Sequence, residues 1–225
     1  MSTATNNTAT EFSIPRSRKG EPTWELVHQF PVQGDWSEES YLAINSSRLI
    51  ELVDGVLEFP PMPTWSHQYV LEFLYEHLKS FVRPRQLGFV VFAPLRVRVG
   101  PGRYREPDLV FATPSRVNDL AKPSDGADLV MEVVSGSPSD RNRDYIDKRN
   151  DYALAGIAEY WIVDPERELI TVLRLPTGGG EYVVAGEFSP GNVAVSTYLP
   201  GFVIDVAACF AAGQGDWNLL KGGAS

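Results

Sequence analysis

The chain has a single cysteine, Cys209, only three histidines, and no apolar run near the roughly 20 residues of a membrane-spanning helix. One cysteine excludes an intrachain disulfide and a thiolate zinc cluster. The first ten residues are polar and lack the apolar core of a secretory signal, so a cytoplasmic protein with no membrane partner is the expectation. There is no Gly-x-Ser-x-Gly string, and the imidazoles are confined to His28, His67 and His77, which leaves a nucleophilic hydrolase without support. Positive charge is also scarce: 20 Lys and Arg against 29 Asp and Glu give a net charge of −9. That balance argues against a general nucleic-acid coat protein, whose affinity comes from many phosphate contacts. It leaves room for an enzyme that meets DNA through one local patch. Carboxylates that hold a metal push the sum in the same direction.

What is present fits a globular chain. Hydrophobic residues make up 43% and charged residues 22% of the 225 positions, a composition that folds without staples. We expect one domain over 23–212, preceded by a mobile arm over 1–22 that is rich in Ser, Thr and Asn. The segment 213–225 reads as a Gly-rich tail in which Trp217, Leu219 and Leu220 could dock.

Periodicity changes several times along the domain. Ser37 to Ile44 predicts a short helix with Ser37 as its cap and two glutamates in the first turn. Arg48 to Phe59 alternates around Asp54-Gly55, a hairpin signature. Thr64 or Ser66 opens a helix to about Phe81, with Val70, Leu71, Phe73, Leu74 and Leu78 at helical spacing. Three strand-like runs follow, Gly88 to Val99, Glu106 to Ala112 and Ala127 to Ser135. A helix from about Ser139 to Ala155 is closed by Gly156. Glu159 to Val163, Leu169 to Leu175 and Glu181 to Phe188 read as strands, and Val195 to Val203 as a last one before a short helix over 206–212. A lone helix between strands is the crossover that parallel pairing requires. The fold class is therefore α/β (α+β), a mixed central sheet flanked by helices, with an N-terminal helix–hairpin addition.

Three features carry chemistry. Pro107-Asp108 opens one strand, Glu132 lies in the next within Asp128-Leu-Val-Met-Glu-Val-Val134, and Lys148 lies in the helix that follows. A carboxylate inside an apolar strand must be paired, protonated or bound to a metal. Alternation puts Asp128, Val130, Glu132 and Val134 on one face. Asp108 shares a face with Val110 in its own strand, so neighbouring strands would bring Asp108 and Glu132 together. Two carboxylates and a main-chain carbonyl suit Mg²⁺ or Mn²⁺, and a nearby lysine would stabilise charge on a phosphate. Taken singly, the residues have plainer readings: Asp108 at a strand end, Glu132 paired with Arg105 or Arg143, Lys148 on a solvated helix face.

The order Pro107-Asp108 … Glu132-Val133-Val134 resembles the motif of restriction-endonuclease-like nucleases, and the chain more closely resembles the Uma2 family. The matching strings include Glu51-Leu-Val-Asp-Gly55, Glu106-Pro-Asp-Leu-Val110, Asp144-x-x-x-Lys148 and Glu159-Tyr-Trp-Ile-Val-Asp-Pro165. The resemblance implies a restriction-endonuclease-like core and a metal-dependent DNA endonuclease using Mg²⁺ or Mn²⁺. It makes Asp108 and Glu132 metal ligands, with the Val133 carbonyl as a third. The position two after Glu132, lysine in the general motif, is Val134 here. The resemblance moves that lysine to Lys148 on the next helix, within the roughly 6 Å reach of its side chain. It also offers Glu51 as a further carboxylate, while His67 could orient water or phosphate. Tyr152, four residues beyond Lys148, would position it. Trp24, Trp36 and Trp65 read as packing residues.

DNA, the implied partner, needs positive charge near the carboxylates. Arg83, Arg85, Arg96, Arg98, Arg103 and Arg105 run into the Pro-Asp strand without an intervening acid, and Arg141, Arg143 and Arg149 flank the lysine. Of these, Arg96, Arg98, Arg103, Arg105, Arg141 and Arg143 are the expected phosphate contacts; the alternative is arginines that merely face solvent from an alternating strand. A homodimer would let such an enzyme cut two strands. The competing function is an inactive nuclease fold serving as a DNA-binding or protein-interaction scaffold.

Overall fold

The computed structural model describes residues 17–21, 23, 27, 29–46, 48–135 and 138–215. Most of the expected arm, together with Trp24, Trp217, Leu219 and Leu220, lies outside them. No described helix is long and apolar enough to cross a membrane.

The element order is α1 (Glu38–Leu42), β1 (Glu51–Val53), β2 (Val56–Glu58), α2 (Trp65–Val82), β3 (Phe89–Phe92), β4 (Val97–Gly100), β5 (Arg103–Arg105), β6 (Leu109–Ala112), β7 (Ser124–Asp125) and β8 (Leu129–Val133). Then come α3 (Pro138–Asn142), a π-helical turn (Arg143–Asp147), α4 (Lys148–Leu154), β9 (Glu159–Asp164), β10 (Leu169–Arg174), β11 (Val183–Phe188), β12 (Val193–Val195), β13 (Val203–Asp205) and α5 (Val206–Ala212).

Local chemistry sets these boundaries. The Ser37 hydroxyl accepts the Ser40 N–H and caps α1; the Thr64 side chain accepts the His67 N–H and caps α2. At the β1–β2 turn Asp54 and Gly55 both take positive φ, 49° and 80°, as the tight hairpin requires. A Cβ on Gly55 would also lie 2.3 Å from the Gly34 carbonyl oxygen, so only glycine fits there.

The central sheet has six strands in the order β11-β10-β9-β8-β6-β3. β8 and β9 run parallel, joined across α3–α4, and the other pairs are antiparallel. Side chains of one face, such as Leu109, Phe111, Leu129, Met131 and Trp161, pack on Val70, Leu74 and Leu78 of α2 and on Val206 and Phe210 of α5. The other face presents Val110, Val130, Ile162 and Leu173 to Tyr152 of α4 and to Val97 and Val99 of β4. The alternation expected for β6 and β8 thus holds, and Glu132 shares the face of Val130.

Several expectations need correction. The run Gly88 to Val99 is two strands in two sheets: β3 edges the central sheet, whereas β4 belongs to a second sheet of order β2-β1-β5-β4-β7. Pro94 lacks the N–H that would continue the ladder. The N-terminal hairpin is no appendage but part of that second sheet, through β1 pairing with β5. Val195 to Val203 is not one strand, since β12 pairs antiparallel with β13 and the residues between them turn back. The helix expected over 139–155 is interrupted by the π turn.

Candidate nuclease site

The antiparallel register of β6 and β8 pairs Leu109 with Met131 and Val110 with Val130. Extended by one residue, it sets Asp108 opposite Glu132 at the end of the strands. The Asp108 Oδ2 accepts the Val133 N–H at 2.8 Å and lies 3.2 Å from His67 Nε2. The cap of α2 puts His67 in the first helical turn, with its ring over the strand ends.

Lys148 opens α4 on the same side of the sheet. Its ammonium is 2.9 Å from Glu132 Oε1, 3.3 Å from Asp144 Oδ1 and 3.8 Å from Glu51 Oε1. The Tyr152 hydroxyl donates to Glu132 Oε1 at 2.5 Å. Glu51, in turn, is held by Arg105 at 2.7 Å and by the Glu106 N–H at 3.0 Å. Arg105 is itself buried and also pairs with Glu58 at 2.6 Å and Asp151 at 2.7 Å. An unpaired charge at such depth would be costly, and this network leaves none of these groups alone.

Electrostatics follow from burial and crowding. Burial pushes Glu132 up to about 8; Lys148 opposes this, while Asp108, Asp144 and Glu51 add to it. Burial also raises Asp144 above its ordinary value, against the pull of Lys148 and Arg143. For Lys148, burial alone would favour the neutral amine, but four carboxylates hold it charged and well above the usual range. Asp108 is pulled down despite burial, first by its hydrogen bond and charge interaction with His67. His67 is correspondingly raised against the effect of burial. Glu51 is lowered, with Lys148 and Arg105 outweighing its burial.

These groups form the floor of a cleft of about 340 Å³, lined by His67, Asp108, Glu132, Val133, Arg143, Asp144 and Lys148 among others. His67 Nδ1 is buried without a hydrogen-bond partner, while Arg143 Nε and Asp144 Oδ1 meet only ion-pair partners, each other at 4.0 Å and, for Asp144, Lys148 at 3.3 Å. Among the described residues no three His, Cys, Asp or Glu side chains make a ready metal cage. Asp108 and Glu132, set opposite each other by the strand register, supply the cleft with hard carboxylate oxygens. They fit Mg²⁺ or Mn²⁺, which take one or two carboxylates and leave other positions to water and phosphate.

Residues 36–207 match the model of the family described as "Uma2: Putative restriction endonuclease". The chain belongs to the Uma2 family. Among solved structures it is similar to "a putative nuclease belonging to DUF820 from Anabaena variabilis ATCC 29413", with 18% identity, 79% of this chain and 99% of that chain covered, and a TM-score of 0.64. That likeness shows the fold, a mixed α+β core of nuclease type. No curated protein matches the chain. Membership in Uma2 supports a nuclease.

The structure brings Asp108, Glu132, Val133, Lys148 and His67 into one cleft and sets Glu51 behind Lys148 rather than in the cleft wall. Glu132 pairs with Lys148, not with Arg105 or Arg143. Tyr152 acts on Glu132, not directly on Lys148. The arginines named for phosphate contact are engaged within the chain: Arg96 with Glu106, Arg98 with Glu38, Arg103 with Asp54 and Asp151, Arg105 as above, Arg141 with Asp164 and Glu166, Arg143 with Asp140 and Asp144. Of the six, Arg143 lines the cleft. The sequence named Asp144 and Glu106 only within family strings and gave neither them nor Asp151 a role in the site. The four-residue spacing of Asp144, Lys148 and Tyr152 was the available signal for the first.

Proposed function

We propose that this Uma2 protein is a Mg²⁺- or Mn²⁺-dependent endonuclease that hydrolyses phosphodiester bonds in DNA. The observation that carries the reading is the cross-strand placement of Asp108 and Glu132 with the Lys148 ammonium 2.9 Å from Glu132, all at the floor of one cleft. Asp108, Glu132 and the Val133 carbonyl would hold the cation. Once bound, the cation supplies Lewis-acid polarisation of the phosphate and a more acidic water. The chain's own residues do the rest. Lys148, kept charged by its carboxylates, faces the negative charge that grows on the phosphoryl oxygens as water adds to phosphorus and the ester P–O bond breaks. His67 orients Asp108, Tyr152 orients Glu132, and the Arg105–Glu51 pair fixes Lys148 from behind. Arg143 offers the cleft a guanidinium for a phosphate oxygen. Exposed Arg48 and Lys122, in the depression beyond Pro94, are placed for flanking phosphates.

Cleavage of plasmid and oligonucleotide DNA in Mn²⁺, with chelator controls, tests this. Asp108→Ala and Glu132→Gln are expected to cut at least 100-fold more slowly, and Lys148→Ala about 10²–10³-fold more slowly. Variants that cut at the wild-type rate would refute the assignment. The scaffold alternative rested on the displaced lysine and the net charge of −9; the 2.9 Å contact of Lys148 with Glu132 favours the nuclease reading.

A further inference from the structure

Beside the carboxylate cleft runs an aromatic groove of about 380 Å³ lined by Trp65, Tyr69, Tyr75 and Phe92. The two share Gln68, Leu71 and Phe92 in their walls, so one surface leads from Asp108 to the Trp65 indole. Trp65 is 81% exposed and Phe92 52% exposed, so Trp65 does not serve the core that its type predicts. Both rings are nevertheless braced. Trp65 leans on Tyr69 with centroids 6.0 Å apart, and Phe92 meets Tyr75 edge-on at 5.0 Å.

The charge around this groove is the wrong sign for a phosphate. Glu72 and Glu76 line it, and the Lys79 ammonium beside it donates to the Tyr75 hydroxyl at 2.6 Å. A planar, uncharged ring is not repelled by those acids, and aromatic platforms beside a backbone-binding cleft are the usual means of holding unpaired bases. In a continuous duplex the base beside the cut stays in its stack and cannot reach such a platform.

We infer that the aromatic groove receives an unpaired nucleobase flanking the scissile phosphate, so that the preferred substrate is single-stranded or locally unpaired DNA. The inference rests on the nuclease reading and on the continuity of the two clefts. Trp65 supplies the main stacking face, Phe92 the wall shared with the catalytic cleft, and the Gln68 amide a polar group at the boundary.

The test is fluorescence anisotropy of a labelled oligodeoxynucleotide, as a single strand and as a blunt duplex, in Ca²⁺ with the full chain. The single strand is expected to bind at least tenfold more tightly than the duplex. Trp65→Ala is expected to weaken single-strand binding about tenfold, a typical stacking loss, and Trp65→Phe to restore most of it. Equal or tighter duplex binding overturns the inference, as does no binding of either DNA or an unchanged Trp65→Ala. Light scattering covers the other occupant: a wild-type dimer that Trp65→Ala dissociates would assign the groove to a second copy and also overturn it. Hydrolysis of a base-free diester, bis(p-nitrophenyl) phosphate, in Mn²⁺ keeps the two readings separate. Glu132→Gln should abolish that rate if the nuclease reading holds, and wild-type hydrolysis of this diester without a single-strand preference in the binding assay would overturn the groove inference alone.

Discussion

Glu132 shows how much of the site is decided by a single side chain. Its position in an apolar strand was visible in the sequence, and so was the requirement for a partner. Which cation would meet it was not, because that depends on the phase of a helix sixteen residues away. Arg105 and Arg143 were as plausible on paper as Lys148. With burial and three neighbouring carboxylates pushing Glu132 up to about 8, the folded protein favours its protonated form relative to the unfolded chain. The sign follows from linkage. A carboxyl raised in the folded state contributes stability below its unfolded value, near 4.5, and loses that contribution as pH rises through the folded one. In metal-free protein Glu132→Gln should therefore raise the melting temperature at pH 8 and leave it nearly unchanged at pH 4. Equal shifts at both pH values, read by calorimetric melts, would contradict this account of the residue.

The element that aims Lys148 is the interrupted helix from α3 to α4. Asp140, Asp144, Lys148 and Tyr152 are all buried at intervals of four residues. In a straight α-helix of 3.6 residues per turn, each such step overshoots a full turn by about 40°. Three steps would carry the side chains about 120° off the face, and the wider π turn over Arg143–Asp147 takes up that drift. Deleting Ile146, which is half exposed, should restore an ordinary helix and turn Lys148 away from Glu132. We expect cleavage to fall to background while circular dichroism and cooperative melting persist. Retained activity would show that the π turn has no part in aiming the lysine. A helix here was readable from its periodicity and from Gly156 at its end, where φ is 71°. The π turn was not, since its cause is the demand of a buried polar face rather than a local preference. The same division applies to the strands. β8 and β9, long and apolar, were plain, whereas β5 and β7 are two or three residues long and take their places in the second sheet beside β1 and β4.

At the scale of the molecule, two sheets contribute to one cleft, where Asp108, Glu132 and Asp144 gather around Lys148. Family strings spread from Glu51 to Pro165 made the overall reading possible from sequence. The use of the arginines could not be read that way. The part of the basic run from Arg96 to Arg105 became a set of internal ion pairs in space, because carboxylates from α1, β1, β2 and α4 fold onto it. Asp108 and Glu132 belong to neighbouring strands of the central sheet, while Lys148 is braced by Glu51 and Arg105 from the second sheet, so the site exists only when both sheets are assembled. The most direct test of the central claim is a calorimetric titration of Mn²⁺ into the purified protein, with Glu132→Gln as its pair, since it needs no knowledge of the DNA substrate. The account predicts saturable binding of about one ion by the wild type and its loss in the variant. No binding up to millimolar Mn²⁺, or equal binding by both proteins, would contradict it.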